Sequence, residues 1–300
     1  MLLNVSERGP EHPTPAGALP VVLLHGLFGR ARNLGFVQRR LAATRRTLAM
    51  DLRNHGSSPH GPMSYPAMAQ DVLDTMVHNA ACPAIVLGHS MGGKTAMMLA
   101  LSQPTAVRAL IVVDIAPAQG GFDRLDLPDN LDRLAFPPHL DLHGTNDLLR
   151  PYIANDAVRQ LMAQNIRQGD NPGWAIGLKD ILAAMPEIMS WPQLAPGWRY
   201  DGPTLFIRGE DSPYISPANY PVMRTLFPNH RLESISGAGH WVHADAPRRF
   251  TEPVEEFLAH VPRAAGTNPP NLARTIQSGQ CHPLPAPPPN PARLATVPPY

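Results

Sequence analysis

The chain has 300 residues and a mass of 32.6 kDa, and 43% of its residues are hydrophobic, which is enough for one large domain or a core domain with an insertion. Its 25 basic and 24 acidic residues nearly cancel, which argues against recruitment to nucleic acid or an anionic membrane by overall charge. It contains no apolar run near the ~20 residues of a transmembrane helix and does not start like a signal peptide, so we expect a soluble, cytoplasmic protein.

Short apolar segments rich in β-branched residues alternate with helical patterns as far as residue 261. The strand candidates, in chain order, are 19–26, 46–52, 83–90, 108–117, 203–210 and 231–240. The helix candidates are 33–43, 64–80, 91–102, 217–227 and 246–260. Apolar strands that alternate with helices predict a mostly parallel, doubly wound α/β sheet buried between helices. The first segment, MLLNVSER, is expected to add an antiparallel edge strand.

One stretch interrupts this alternation. Residues 117–200 carry helical patterns but no clear strand, and they lie between two predicted strands of the sheet. Open α/β sheets bind ligands at the carboxyl ends of their strands, so an insertion here is expected to form a helical cap over that edge. The predicted organisation is a first core part (1–116), the cap (117–200), a second core part (201–261) and a tail (262–300).

The tail differs from the rest of the chain in composition. Its 39 residues include 11 prolines, three arginines and no acidic residue. Such a segment cannot bury enough apolar surface to offset the entropy lost on ordering. We therefore expect it to be disordered or polyproline-like.

The sequence GHSMG at residues 88–92 fits the G-x-S-x-G pattern and places Ser90 between a predicted strand and a predicted helix. This context is typical of a nucleophile elbow, a strained turn that needs small residues on both sides and lifts the serine above the sheet. The Met91 amide then points into the site from a helix N-terminus. We predict Ser90 as nucleophile and Met91 as one backbone donor of the oxyanion hole. Lys94, on the same helix, is expected to face solvent or to pair locally.

The second oxyanion donor is expected in the sequence HGLFG, which ends the strand at 19–26. In a hydrolase with such an elbow, the loop after this strand supplies a second N–H for the oxyanion. We predict that this donor is Leu27, with Phe28 as the alternative. His25 is assigned a structural role, hydrogen-bonded to backbone.

His240 is the predicted general base, because it follows the last strand and the triad order next to such an elbow is serine, acid, histidine. Two aspartates that follow strands, Asp114 and Asp211, are candidates for the acid that accepts a hydrogen bond from His240 Nδ1. The common place for this acid is three residues beyond a glycine after the penultimate strand, which is Ser212 here; Asp211 comes one residue early. The residue pattern alone leaves the two aspartates open.

Several segments together resemble the YbfF-like bacterial esterases, α/β-hydrolases related to a mitochondrial hydrolase. They are HGLFG, DLRNHGSSP, MSYPAMAQDVLDTM, GHSMGGKTAMMLA, VVDIAPAQ and SPYISP…GAGHWVHAD. The resemblance covers about residues 2–261 and implies Asp114 as the acid and Ser212 as a member of the hydrogen-bond network of His240. We expect the α/β-hydrolase fold, a mostly parallel doubly wound sheet with a helical cap inserted after its sixth strand.

The predicted function is a serine hydrolase that cleaves carboxylic esters or acyl thioesters through an acyl-enzyme; the resemblance makes acyl-CoA a candidate thioester. The alternatives are a cofactor-free perhydrolase similar to haloperoxidases, and a binding or chaperoning α/β-hydrolase with weak activity. We expect no cofactor and no metal, since the chemistry needs neither and Cys82 and Cys281 form no metal-binding pattern. The expected partner is a small ester or acyl thioester, and the sequence predicts no particular oligomeric state.

Overall fold

The apolar segments form an open sheet with helices on both faces. A computed structural model describes residues 1–11, 17–119, 127–128 and 130–262, all within one compact unit, Met1–Thr267. The strands are β1 (Val5–Arg8), β2 (Val21–Leu24), β3 (Thr47–Met50), β4 (Ala84–His89), β5 (Val107–Val113), β6 (Ile166–Arg167), β7 (Gly173–Trp174), β8 (Thr204–Gly209) and β9 (His230–Ile235). The helices are α1 (Gly35–Ala42), α2 (Tyr65–His78), α3 (Met91–Ser102), α4 (Leu142–Leu149), α5 (Asp156–Ala163), α6 (Leu178–Ile188), α7 (Tyr220–Leu226), α8 (Val242–Asp245) and α9 (Pro247–His260).

The large sheet has seven strands in the order β1-β3-β2-β4-β5-β8-β9. The edge strand β1 pairs antiparallel with β3, and the other five pairings are parallel. This topology confirms the predicted mostly parallel, doubly wound sheet with an antiparallel edge strand. All six predicted strands are present, and each of the five predicted helices lies within two residues of its expected bounds, apart from 217–227, which begins with a 3-10 turn at Pro217–Asn219.

The core lies on both faces of the sheet because the central strands alternate apolar side chains above and below it. In β2, Val22 and Leu24 pack on the face covered by α2 and α3, whereas Val21 and Leu23 pack on the face covered by α1 and α9. All four side chains are fully buried. A strand that is buried on both faces has to be apolar at every position, which is why the predicted strands read as continuous apolar runs.

The insertion, defined as the described residues between β5 and β8, differs from its prediction in two ways. It contains helices α4, α5 and α6, but β6 and β7 also form a two-stranded antiparallel sheet there. Two-residue strands are too short to show an alternating pattern in sequence. In chain order the insertion also follows the fifth strand of the large sheet, not the sixth. The reason is that β1 is the only strand before β2 in the described ranges. Residues 263–300, and so nearly all of the predicted tail, lie outside those ranges.

The parallel strands bring the candidate site residues to one edge of the sheet. Leu27 follows β2, Ser90 follows β4, Asp114 follows β5, Ser212 follows β8 and His240 follows β9. Carboxyl ends of parallel strands share an edge, so residues far apart in sequence become neighbours there.

None of the helices in the described ranges combines the length and the apolar character that a membrane-spanning segment needs.

Lys94 is buried, which contradicts the expectation of a solvent-facing or locally paired side chain. It lies on α3 with no exposed surface, because the end of the insertion covers that face of the helix. Its Nζ donates to the Ser190 carbonyl at 2.8 Å and lies 5.8 Å from the centre of the Tyr65 ring. The Tyr65 hydroxyl donates to the Ile188 carbonyl at 2.6 Å. Both donors therefore satisfy carbonyls at the C-terminal end of α6.

Burial lowers the pKa of Lys94 to about 8, which makes stability depend on pH. Between about pH 8 and 10.5 the folded protein has released this proton while the unfolded chain still holds it. The free energy of unfolding contributed by Lys94 should therefore rise with pH in this interval. We expect the Tm of the wild type to rise relative to that of Lys94→Met between about pH 8 and 10. A Tm difference that does not change with pH would contradict the lowered pKa.

Candidate active site

Ser90 lies in a strained turn between β4 and α3. Its φ of 53° and ψ of −120° are uncommon for a residue other than glycine. A Cβ at Gly88 would lie 2.2 Å from the Gly92 carbonyl oxygen, and one at Gly92 would lie 2.5 Å from the His25 carbonyl oxygen. Both positions therefore require glycine, which is the local reason that the sequence forms an elbow here.

His240 connects Ser90 with Asp114 by two hydrogen bonds. Its Nε2 lies 3.1 Å from Ser90 Oγ, and its Nδ1 lies 2.8 Å from Asp114 Oδ2. An ionised carboxylate can only accept hydrogen bonds, so Nδ1 carries the proton and donates it to Asp114. The lone pair of Nε2 is then free to accept the hydroxyl hydrogen of Ser90. This arrangement can deprotonate the serine as it attacks an acyl carbon.

The Asp114 carboxylate is fully buried and accepts three hydrogen bonds. Its Oδ1 accepts from the Gly209 N–H at 2.9 Å, and its Oδ2 accepts from the Ser212 hydroxyl as well as from His240. A buried carboxylate is tolerated when such donors replace the lost water. Ser212 itself is 6% exposed, so this donor is shielded from solvent together with the carboxylate.

The alternative acid, Asp211, is placed away from the His240 imidazole. Its side chain is exposed at the rim of the site, and its N–H donates to the Ala238 carbonyl at 3.0 Å. In the described part of the chain its carboxylate makes no hydrogen bond with His240. The geometry thus brings Asp114 and not Asp211 to the imidazole.

Two aromatic rings on the His240 imidazole were not predicted. Tyr214 stacks on the imidazole with ring centres 4.0 Å apart and planes 25° apart. His89 lies 4.7 Å away on ring centres and donates from Nε2 to the His240 carbonyl at 2.9 Å. Burial is the largest cause that lowers the pKa of His89, so this ring stays neutral. Tyr214 lies in the SPYISP segment, but no local pattern indicates the stacking.

The loop after β2 approaches Ser90 closely enough to form one side of an oxyanion hole. A Cβ at Gly26 would lie 3.2 Å from the Cβ of Ser90. In the described ranges, neither the Leu27 N–H nor the Met91 N–H donates to an acceptor in the protein. The Phe28 N–H, in contrast, donates to His55 Nε2 at 3.1 Å, so the alternative donor is already engaged.

A cavity of about 820 Å³ opens onto Ser90 and His240. Loops of the core line one side, including the 26–29 turn and the aromatic rings of Tyr214 and Trp241. The insertion also lines the cavity, with apolar side chains that include Ile153, Val158 and Leu161. A site of this size and character fits an apolar acyl group. The described residues hold no group of three or more potential metal ligands.

Comparisons with known proteins agree with this architecture. The alpha/beta hydrolase fold family matches residues 20–247. The sn-1-specific diacylglycerol lipase ABHD11 of Mus musculus is 36% identical over 255 residues, which is 80% of each chain. The esterase YbfF of Escherichia coli is 34% identical over 241 residues, covering 80% of this chain and 92% of that protein. A solved structure of a marine microorganism esterase matches with a TM-score of 0.75 and 31% identity, covering 85% of this chain and 99% of that one. The predicted resemblance is confirmed, and this chain belongs to the α/β-hydrolase family.

Proposed function

We propose that the protein is a serine hydrolase that cleaves carboxylic esters through an acyl-enzyme. The observation that carries this proposal is the continuous hydrogen-bond chain from Asp114 through His240 to Ser90, which opens onto an apolar cavity. Similar relatives are named as an esterase and a diacylglycerol lipase, which supports an ester as the substrate class. Ser90 is the proposed nucleophile, His240 the general base and Asp114 the acid that orients it.

The reaction follows from this geometry in two halves. Ser90 Oγ attacks the acyl carbon as its proton moves to His240 Nε2, and the N–H groups of Leu27 and Met91 bind the oxygen that becomes negative. Asp114 stabilises the imidazolium that forms. His240 Nε2 then donates its proton to the leaving alkoxide, which departs as the alcohol and leaves the acyl group on Ser90.

Water completes the cycle. It loses a proton to His240 Nε2 as its oxygen attacks the acyl carbon, and the same two N–H groups bind the second oxyanion. Collapse of this intermediate breaks the bond to Ser90 Oγ, which regains its proton from His240. The products are the carboxylic acid and the unchanged enzyme.

We also propose that residues 117–200 form a cap over a core made of 1–116 and 201–261. Support comes from Ile153 and Leu161, which belong to the insertion and face the same cavity as the reactive residues. An acyl chain placed against them is removed from water, which favours binding in proportion to the apolar area that is covered. The insertion is thus the part of the chain that would set acyl length.

The test is a panel of p-nitrophenyl esters and acyl-CoA thioesters of increasing acyl length. We expect ester turnover that rises with chain length until the acyl group fills the cavity, and covalent labelling by a fluorophosphonate at one site, which peptide mass mapping would assign to Ser90. Turnover of thioesters alone would change the proposed leaving group from an alcohol to a thiol. Turnover that requires hydrogen peroxide would favour a perhydrolase, and absence of both turnover and labelling would favour a binding role.

A further inference from the structure

The turn at 26–29 is held in an uncommon conformation. The Gly29 N–H donates to the Gly26 carbonyl at 2.9 Å, and His25 Nδ1 donates to the same oxygen at 2.8 Å. Because a peptide unit is planar, holding the Gly26 carbonyl also sets the direction of the Leu27 N–H. The next residue, Phe28, has a φ of 58°, which is rare for a bulky side chain. Neighbouring groups must therefore stabilise this turn.

The backbone of Phe28 is held from both sides by buried side chains. Its N–H donates to His55 Nε2 at 3.1 Å, and its carbonyl accepts from Asn165 Nδ2 at 2.7 Å. His55 Nδ1 donates to the Arg53 carbonyl at 2.9 Å, which leaves Nε2 as the acceptor. Burial lowers the pKa of His55 to about 3, so this ring remains neutral at ordinary pH.

Asn165 belongs to the insertion, whereas Phe28 belongs to the core. The asparagine follows α5, is 1% exposed and does not line the cavity. Its amide group donates a second hydrogen bond to the Leu161 carbonyl at 3.1 Å. Both contacts use the amide as a donor, so a carboxylate of the same shape could make neither.

Other contacts hold the insertion near this loop without Asn165. Arg30 donates to the Gln164 carbonyl at 2.7 Å, and Asn33 donates to Gln164 Oε1 at 3.2 Å. Gly177 donates to the Asn54 carbonyl at 2.9 Å. Loss of the Asn165 amide would therefore weaken one specific support of the turn and leave the insertion attached.

We propose that Asn165 is a positioning residue for the oxyanion hole. By holding the Phe28 carbonyl it keeps the 26–29 turn in the conformation that directs the Leu27 N–H at the developing oxyanion. Stabilisation of the transition state thereby depends on the insertion being seated on the core. This inference rests on the proposed hydrolase function and extends it, since Asn165 acts through Phe28 and touches neither substrate nor triad.

Substitution of Asn165 is expected to have a large effect on kcat and a small effect on KM. Removal of one oxyanion donor lowers kcat by about 10²–10³-fold in a well-studied protease, and a misdirected donor should cost less. We expect Asn165→Asp to lower kcat by about 10- to 100-fold, with KM within about threefold of the wild type, because the Asn165 side chain does not itself line the cavity. Asn165→Ala removes the donor without adding charge and should act in the same direction.

The test uses ester hydrolysis together with an alkyl boronic acid, whose boron bonds to the serine oxygen to give a tetrahedral boronate anion with one of its oxygens in the oxyanion hole. The boronic acid Kd should rise by about the same factor as kcat falls, since both report stabilisation of the tetrahedral state. Asn171→Asp, which makes the same chemical change at an exposed position of the insertion, should leave kcat, KM and Kd unchanged. All rates are expressed per site labelled by fluorophosphonate, which corrects for any unfolded fraction.

A purely structural role for Asn165 would lower Tm but leave kcat per labelled site and the boronic acid Kd as in the wild type, and this result would overturn the inference. A rise in KM at constant kcat would also overturn it, because it would indicate a contribution to substrate binding. Failure of the proposed function would be seen separately, as turnover that persists in Ser90→Ala.

Discussion

Ser90→Ala should lower kcat for ester hydrolysis by about 10⁴-fold or more, since members of a triad act as a unit. Alanine removes the Oγ that receives the acyl group, and among the described residues no other hydroxyl forms a hydrogen bond with His240 Nε2. The fold should persist, because the glycines at 88 and 92 that permit the turn are unchanged. Alanine keeps the Cβ of serine, so the strain at the elbow is not increased.

The measurement is kcat on the best ester of the panel, with circular dichroism and Tm as evidence of folding. Ser102→Ala is a matched control, because it removes a hydroxyl at the far end of the same helix, where it bonds the Met98 carbonyl. It should leave kcat unchanged. Turnover by purified Ser90→Ala within about tenfold of the wild type would place the nucleophile at another residue.

Asp114→Asn should lower kcat by about 10⁴-fold, by analogy with the equivalent change in a serine protease. An amide at this position presents N–H groups to His240 and favours the imidazole tautomer with its proton on Nε2. That tautomer cannot accept the hydrogen of Ser90. In addition, the amide has only one oxygen that can accept hydrogen bonds, whereas the two carboxylate oxygens accept from Gly209, Ser212 and His240.

Two neighbouring variants make this prediction specific. Asp211→Asn should change kcat only slightly, because its exposed carboxylate does not bond His240 in the described structure. Ser212→Ala should lower kcat several-fold, since one hydrogen bond of ~1 kcal/mol corresponds to that factor. A crippled Asp211→Asn beside a nearly normal Asp114→Asn would reverse the assignment of the acid.

Local signals in the sequence were sufficient to predict those elements in which a short segment determines its own geometry. The run of residues 91–102 begins after an elbow that needs glycine at two positions, and its helix has the predicted bounds. The apolar strands were predictable for a related reason, because burial on both faces leaves a continuous apolar pattern. Ser90 follows one of these strands, so its position at the edge of the sheet was predictable as well.

The acid could not be chosen from residue spacing because its partner lies 126 residues away along the chain. Pairing of β5 with β8 brings Asp114 next to Gly209, and the loop after β9 then brings His240 to the same carboxylate. Only the register of these strands decides which aspartate reaches the imidazole. The resemblance to a known family indicated Asp114, but the pattern of residues by itself did not.

By itself, the sequence determined the doubly wound α/β core, the elbow at Ser90 and the place of His240 after the last strand, because each follows from periodicity or from a turn a few residues long. Tertiary structure decided the surroundings of single side chains, which depend on segments distant in sequence. Lys94 is buried because the insertion covers α3, and the Phe28 N–H donates a hydrogen bond because the fold brings His55 Nε2 next to it. Asn165 has no motif of its own, and its contact with Phe28 crosses 137 residues of chain. Packing creates such contacts, and no local pattern encodes them.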